Sequence, residues 1–278
     1  MIGLPTSTYY YKPKVARLDR EQADAALRDQ IEAVQVIFSQ AGYRMVRRHL
    51  LRQGQKINSK RIRRVMKQYG LQAQIKRRFI CTTDSDHGFR IYPNLVKDKV
   101  VTDLNQVWVA DITYIRIQNG FVFLAVVLDL FSRRVIGWGI SKRIDHELTL
   151  QALRVALESR KPTAGLIHHS DRGVQYACQA YVQLLTESSI QVSMSAKGNP
   201  YDNAFAESFM KTLKREEVYL WNYETYLDVV ERVPYFIEEV YNKKRLHSAL
   251  DYVTPEEFEQ NLPAMVKQPA VSRPTLTP

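Results

Sequence analysis

The sequence predicts an α/β fold: a mixed β-sheet core, preceded by a basic helical domain and followed by a helical extension. Three observations predict it. Cationic residues with helical periodicity crowd one early segment, three β-rich runs follow in succession from Val107, and helical and strand-like runs then alternate. A chain of 278 residues is long enough for two domains, and 45% hydrophobic with 25% charged residues is ordinary globular composition. The longest apolar run, Phe121 to Leu128, has the length of a strand and not of a membrane span. Met1 to Ser7 lacks the basic and apolar regions of a secretory leader, and Cys81 and Cys178 provide no disulfide framework or zinc spacing. A soluble, cytoplasmic protein without membrane partners is expected.

The formal net charge of +11 is local. Between Ala41 and Arg78 stand 13 basic residues, and no Asp or Glu occurs from Ala33 to Thr83. The other 27 basic residues face 29 acids, so the remainder is near −2. Such a block suits phosphate neutralisation and counterion release. Asp19 to Gln40 is expected to form a helix with Leu27, Ile31, Val34 and Phe38 on one face. Gly42 breaks it, and a short helix follows through Val46 and Leu50 to Gly54. Asn58 or Ser59 can cap a third helix, with Ile62, Val65, Met66 and Tyr69 apolar and Gly70 at its end. Two short basic helices joined by a glycine-containing turn suggest a helix-turn-helix. The candidate DNA contacts are Arg44, Arg47, Arg48, Lys60, Arg61, Arg63, Arg64 and Lys67.

Strands are expected at Val107–Ile115, Phe121–Asp129 and Val135–Ile140, with Gly120 and Ser132-Arg133-Arg134 at the turns. A helix at His146–Ser159 precedes a short buried strand at Leu166–His169. Ala177–Ser188 reads as helix, Ile190–Ser195 as strand and Asp202–Tyr219 as helix. A long helix from Tyr223 to Lys244 and a capped one opening at Thr254-Pro255 complete the elements, and the proline-bearing tail from Pro263 is expected to be disordered. Trp108, Phe121 and Phe123 are assigned to the core.

Asp111 interrupts an otherwise apolar strand, where a lone carboxylate is costly without a positive partner. Asp171 follows the short strand at its carboxyl end, where open α/β sheets place their sites. Glu207 lies opposite the Phe205–Phe209–Leu213 stripe, on a side shared with Lys211 and Lys214. Three acids on strand, strand end and helix can form an all-oxygen cage for Mg²⁺, with both lysines available to a phosphate backbone. In isolation Asp129 reads as a turn residue, His168 and His169 as core groups, and Asp202 and Asn203 as helix caps. Ser170 invites a nucleophile reading, but GxSxG and an identifiable base are absent. Tyr241, Arg245 and His247 fit DNA contact and fastening of the last helices equally well.

The spacing and words together resemble a family. Thirty-five residues stand between Asp171 and Glu207, as in the D,D(35)E pattern of bacterial insertion-sequence transposases and retroviral integrases. Trp108–Tyr114, Asp129–Arg133, His169–Tyr176, Tyr201–Phe209 with Lys214, and Tyr241–Pro255 resemble the transposases more closely, specifically the second reading frame of two-frame elements. The resemblance spans roughly Asp19 to Gln260. It implies an RNase-H-like core in which Asp111, Asp171 and Glu207 ligate two Mg²⁺ or Mn²⁺ ions, nick the element's 3′ ends, and let the freed hydroxyl attack target DNA. It implies Lys214 as a contact to terminal DNA, double-stranded DNA as partner, a homo-oligomer on that DNA, and association or fusion with the first-frame protein. Residues 1–10 resemble the join to that missing frame. The division is then 1–18 joining segment, 19–80 basic domain, 81–104 linker, 105–220 core, 221–262 helical extension and 263–278 tail. The competing expectations are a metal-dependent nuclease of the same fold without strand transfer, and a non-catalytic DNA-binding regulator.

Overall fold

The computed structural model describes residues 17–73, 88–196 and 203–265. The chain divides into two compact units, 1–75 and 76–278. The expected joining segment and tail lie almost wholly outside the described residues, as do Cys81 and Asp202. No described helix is long and apolar enough to cross a membrane.

In the first unit, α1 spans Arg17–Ile37, α2 Tyr43–Arg52 and α3 Ser59–Gln68. Their periodic residues are buried together: Leu27, Ile31 and Val34 from α1, Val46 and Leu50 from α2, Ile62, Val65 and Met66 from α3. Helix α1 stops three residues before the expected end, because Ala41 N–H turns back to the Phe38 carbonyl and leaves the helical ladder. Asn58 caps α3 by accepting from Lys60 N–H at 2.8 Å. Helices α2 and α3 end alike. Gly54 and Gly70 take φ of +82° and +70°, and the next N–H reaches back to Leu50 and Met66 carbonyls respectively. Tyr69 is an exception to the expected apolar face: it is exposed, beneath Arg28.

The second unit is built on five strands: β1 Val107–Ile117, β2 Gly120–Asp129, β3 Val135–Ser141, β4 Ile167–Ser170 and β5 Gln191–Met194. Their order is β3-β2-β1-β4-β5, with β1–β3 antiparallel and β4 and β5 parallel to β1. This is the mixed sheet of an RNase-H-like core. Its helices are α4 His146–Arg160, α5 Val174–Ala177, α6 Gln179–Glu187, α7 Ala204–Leu213, α8 Tyr226–Tyr235 and α9 Pro255–Met265.

Alternation in β1 sets the layers. Trp108 and Ala110 join Leu148, Leu153 and Ala156 of α4 and Tyr181 and Leu185 of α6. Val107 and Val109 face the other way, onto Phe209 and Leu213 of α7 and Val229 and Val233 of α8. Helix α4 approaches so closely that a Cβ at Gly137 would stand 2.2 Å from the Ala152 carbonyl oxygen. Phe121 corrects the core assignment: it is 45% exposed near the hairpin end and meets Tyr114 edge-on.

Two helices widen where single helices were expected. Lys214–Val218 continues α7 as a π-turn, and Phe236–Asn242 continues α8 in the same way two residues after Pro234. Proline removes an N–H from the α8 ladder, and a wider turn is one way to re-pair the backbone. The Tyr241, Arg245 and His247 question resolves toward fastening. Tyr241 is buried edge-on against Phe209 and His247, and Arg245 grips Glu216 with Nε at 2.8 Å and a terminal nitrogen at 3.0 Å. Helix α9 is tied down by Arg134 and Arg160, which both reach Glu259.

Candidate active site and nucleic-acid interface

Asp111 sits on β1, on the face it shares with Val107 and Val109 and hence toward α7. The parallel register pairs Val109 with His169. β4 ends at Ser170, one residue before Asp171, and the charge of Asp171 bears on Asp111. Asp171 is held beyond the strand by its own loop, accepting from Gly173 N–H at 2.9 Å. Glu207 stands in the first turn of α7. Asp111 thus lies on β1, Asp171 just past the end of the neighbouring β4, and Glu207 at the start of α7, which packs on the Asp111 face of the sheet.

Electrostatics tie the three together. Burial, then the charges of Asp171 and Glu207, push the Asp111 carboxyl up to about 8, against the Ile112 N–H and Lys214. As a whole residue Asp111 is half-buried. Glu207 is turned away by Lys211, whose Nζ lies 3.3 Å from it, and among the described residues no three His, Cys, Asp or Glu side chains enclose a metal-sized gap. That ion pair is exposed, with Lys211 at 73%, and such helix pairs contribute only about 0.3–0.5 kcal/mol. Turning Glu207 inward therefore costs little. Lys214 sits 4.3 Å over the Tyr114 ring, and burial lowers its pKa while Asp111 opposes the shift.

The donor chemistry fits a hard divalent cation. Three carboxylates bear on one another electrostatically without converging on a gap, and hard ions take oxygen ligands. Two buried oxygens beside them also have no hydrogen-bond partner among the described residues: the Tyr176 hydroxyl and Asn203 Oδ1. Asn203 corrects the capping expectation. Its side chain caps nothing, and its Nδ2 instead donates to the Ala110 carbonyl at 3.1 Å, one residue before Asp111.

The neighbouring polar residues are structural, as expected. His169 bridges to Ser193 and Ser195 at 2.8 and 3.1 Å, and His168 meets the Tyr181 hydroxyl at 2.9 Å. Asp129 accepts from the N–H groups of Asn105, Phe131 and Ser132 at the β2–β3 turn. Next to it, Arg133 is buried with φ of +64° and stacks 3.7 Å over Phe205, which anchors the start of α7.

In the basic unit, Arg44, Arg47, Lys60, Arg63 and Lys67 are exposed. Tyr43, Arg63, Arg64, Lys67 and Gln72 help line a cleft of about 490 Å³, with Arg63 5.1 Å over the Tyr43 ring. Arg61 and Arg64 are engaged within the fold: Asp24 of α1, itself 4% exposed, receives them at 3.0 and 2.7 Å. Both arginines hold the Asp24 carboxyl below its ordinary range, Arg64 foremost. The segment has no acid of its own, but α1 supplies one from outside it.

Comparison with known proteins gives two matches to the integrase core domain, over residues 102–200 and 188–255, and one to an HTH-like domain over 21–79. An uncharacterized 31 kDa protein of insertion element IS600 from Shigella sonnei is 36% identical over 262 residues, covering 94% of this chain and 96% of that protein. The transposase of insertion sequence element IS904 from Lactococcus lactis is 40% identical over 204 residues, covering 73% of this chain and 81% of that protein. The HTLV-2 integrase catalytic core, solved in complex with magnesium, overlaps loosely: TM-score 0.42 at 16% identity, covering 56% of this chain and 96% of that one.

Proposed function

The chain belongs to the insertion-element transposases, DDE-type enzymes with an integrase core, and on that premise we propose that Asp111, Asp171 and Glu207 carry the chemistry. The observation that supports this is that Asp171, just past the end of β4, and Glu207, at the start of α7, both act on the Asp111 carboxyl of the neighbouring strand β1. These residues would hold Mg²⁺ or Mn²⁺, two ions in all. Divalent charge there would offset the negative charge building on a phosphodiester under attack and favour an ionised attacking oxygen. Asp111, protonated up to about 8 without a counter-charge, would enter the cluster as the carboxylate. Lys214, steadied over Tyr114, would hold a backbone phosphate beside the acids.

Two in-line displacements follow. Water opens the phosphodiester at each 3′ end of the element, leaving a 3′-hydroxyl. That oxygen then bonds to a target phosphorus, and the target's own 3′ oxygen leaves. The basic unit would bring double-stranded DNA through Arg44, Arg47, Lys60, Arg63 and Lys67, with Arg48 beside them. Arg61 and Arg64 would join only on release from Asp24, and Lys211 only on release from Glu207. The working form would be a homo-oligomer on the element's terminal repeats, joined to the first-frame protein, in the bacterial cytoplasm.

The test incubates the chain, alone and fused to its first-frame partner, with labelled element-end DNA and Mg²⁺ or Mn²⁺. Nicked and joined products that disappear with Asp171→Asn are expected. Nicking without joining would identify a nuclease, and DNA binding without either would identify a regulator.

A further inference from the structure

Tyr176 is the one residue beside the carboxylates whose polar atom the proposed chemistry leaves unused and whose ring is rigidly held. It is 2% exposed, and its hydroxyl has no hydrogen-bond partner among the described residues. A buried hydroxyl left unpaired is destabilising, while phenylalanine would fill the same space without that cost. Its ring is fixed from two sides, 5.4 Å edge-on from Tyr181 and 6.4 Å from His168, and those two are themselves hydrogen-bonded at 2.9 Å. The backbone tethers it to the site: Tyr176 N–H donates to Gly173, whose own N–H donates to the Asp171 carboxylate. Burial, then Tyr181 and the charges of Asp111 and Asp171, keep the phenol protonated. It can therefore serve these acids only as a donor.

We propose that Tyr176 is a positioning residue of the carboxylate site, its hydroxyl donating to the Asp111–Asp171 pair and orienting it around a divalent ion. The inference rests on the metal-binding reading above. A carboxylate that gives one oxygen to an ion keeps lone pairs on the other, and a fixed neutral donor there sets its angle without competing for the ion.

The test measures Mn²⁺ affinity by the spin-resonance signal of free Mn²⁺, on the full chain without DNA, for wild type, Asp111→Asn and Tyr176→Phe. Wild type should bind, Asp111→Asn should lose binding, and Tyr176→Phe should weaken it about 10–100-fold, the usual effect of removing a partner of a metal ligand. The apo thermal midpoint of Tyr176→Phe should stay the same or rise. Affinity within about twofold of wild type would overturn the role, whatever happens to stability. Equal Mn²⁺ binding by wild type and Asp111→Asn would instead sink the carboxylate reading, and this inference with it.

Discussion

Replacing Asp111 by Asn should stabilise the metal-free protein, increasingly so as pH rises. The carboxyl is raised from 3.8 to about 8 in the folded state, chiefly by burial and then by Asp171 and Glu207. The folded chain therefore binds this proton more tightly than the unfolded one. Its contribution is fully present below the unfolded value and is lost as pH climbs toward the folded one. At about 1.36 kcal/mol per unit, the span from about pH 5 to about pH 8 costs about 4 kcal/mol at face value. Screening by the effective dielectric that proteins show even at buried sites reduces that to about 2 kcal/mol. Unfolding this unit should then shift by about 4–8 °C. The assay is thermal unfolding in chelator at both pH values, repeated with Mn²⁺. Asn should flatten the pH trend and abolish the Mn²⁺ gain, since an ion stabilises the state that binds it. Parallel trends in both proteins, or equal Mn²⁺ gains, would refute the reasoning.

Three further outcomes follow from the same structure. Gly137→Ala should destabilise the core by about 1–3 kcal/mol in denaturant titration, because its Cβ would meet the Ala152 carbonyl at 2.2 Å; an unchanged midpoint would mean α4 is not seated as described. Asp24→Asn should lower the stability of the basic unit by about 2 kcal/mol while tightening binding to random duplex DNA at low salt, since Arg61 and Arg64 lose their shared acid; fluorescence anisotropy reads the second effect, and weaker binding would contradict it. Lys214→Gln should reduce the salt slope of DNA-end binding by about one unit, with the fold intact by circular dichroism.

The three acids proposed as the site stood out in the sequence through their joint spacing, since each alone has an ordinary structural reading. Asp111 breaks a β-branched run, Asp171 ends a short strand, and Glu207 faces away from an apolar stripe. Apart from Tyr69, the periodic residues of α1–α3 are buried as read, since a 3.6-residue repeat has one way to cover itself. What escaped notice were pairs between distant residues. Asp24 lies 37 residues before Arg61, so a scan of the basic segment could not see it. The Asn203 side chain reaches the Ala110 carbonyl, 93 residues away, although Asn before a helix normally signals a cap. Tyr176 was visible only as part of a recognised word, and nothing in its neighbours shows an unpartnered hydroxyl.

The sequence by itself determined the order of elements and the location of the charge, which follow from short-range periodicity and composition. It also singled out the three acids proposed as the site, through their joint spacing and the resemblance it carries. Only the tertiary structure decided which cations are engaged, which polar atoms are left without partners, and that Glu207 rests against Lys211. It also settled Tyr241 and Arg245 as fasteners of the last helices. Those outcomes depend on which side chains share a low-dielectric space, and that is set by long-range packing of the sheet and helices, which no local pattern encodes.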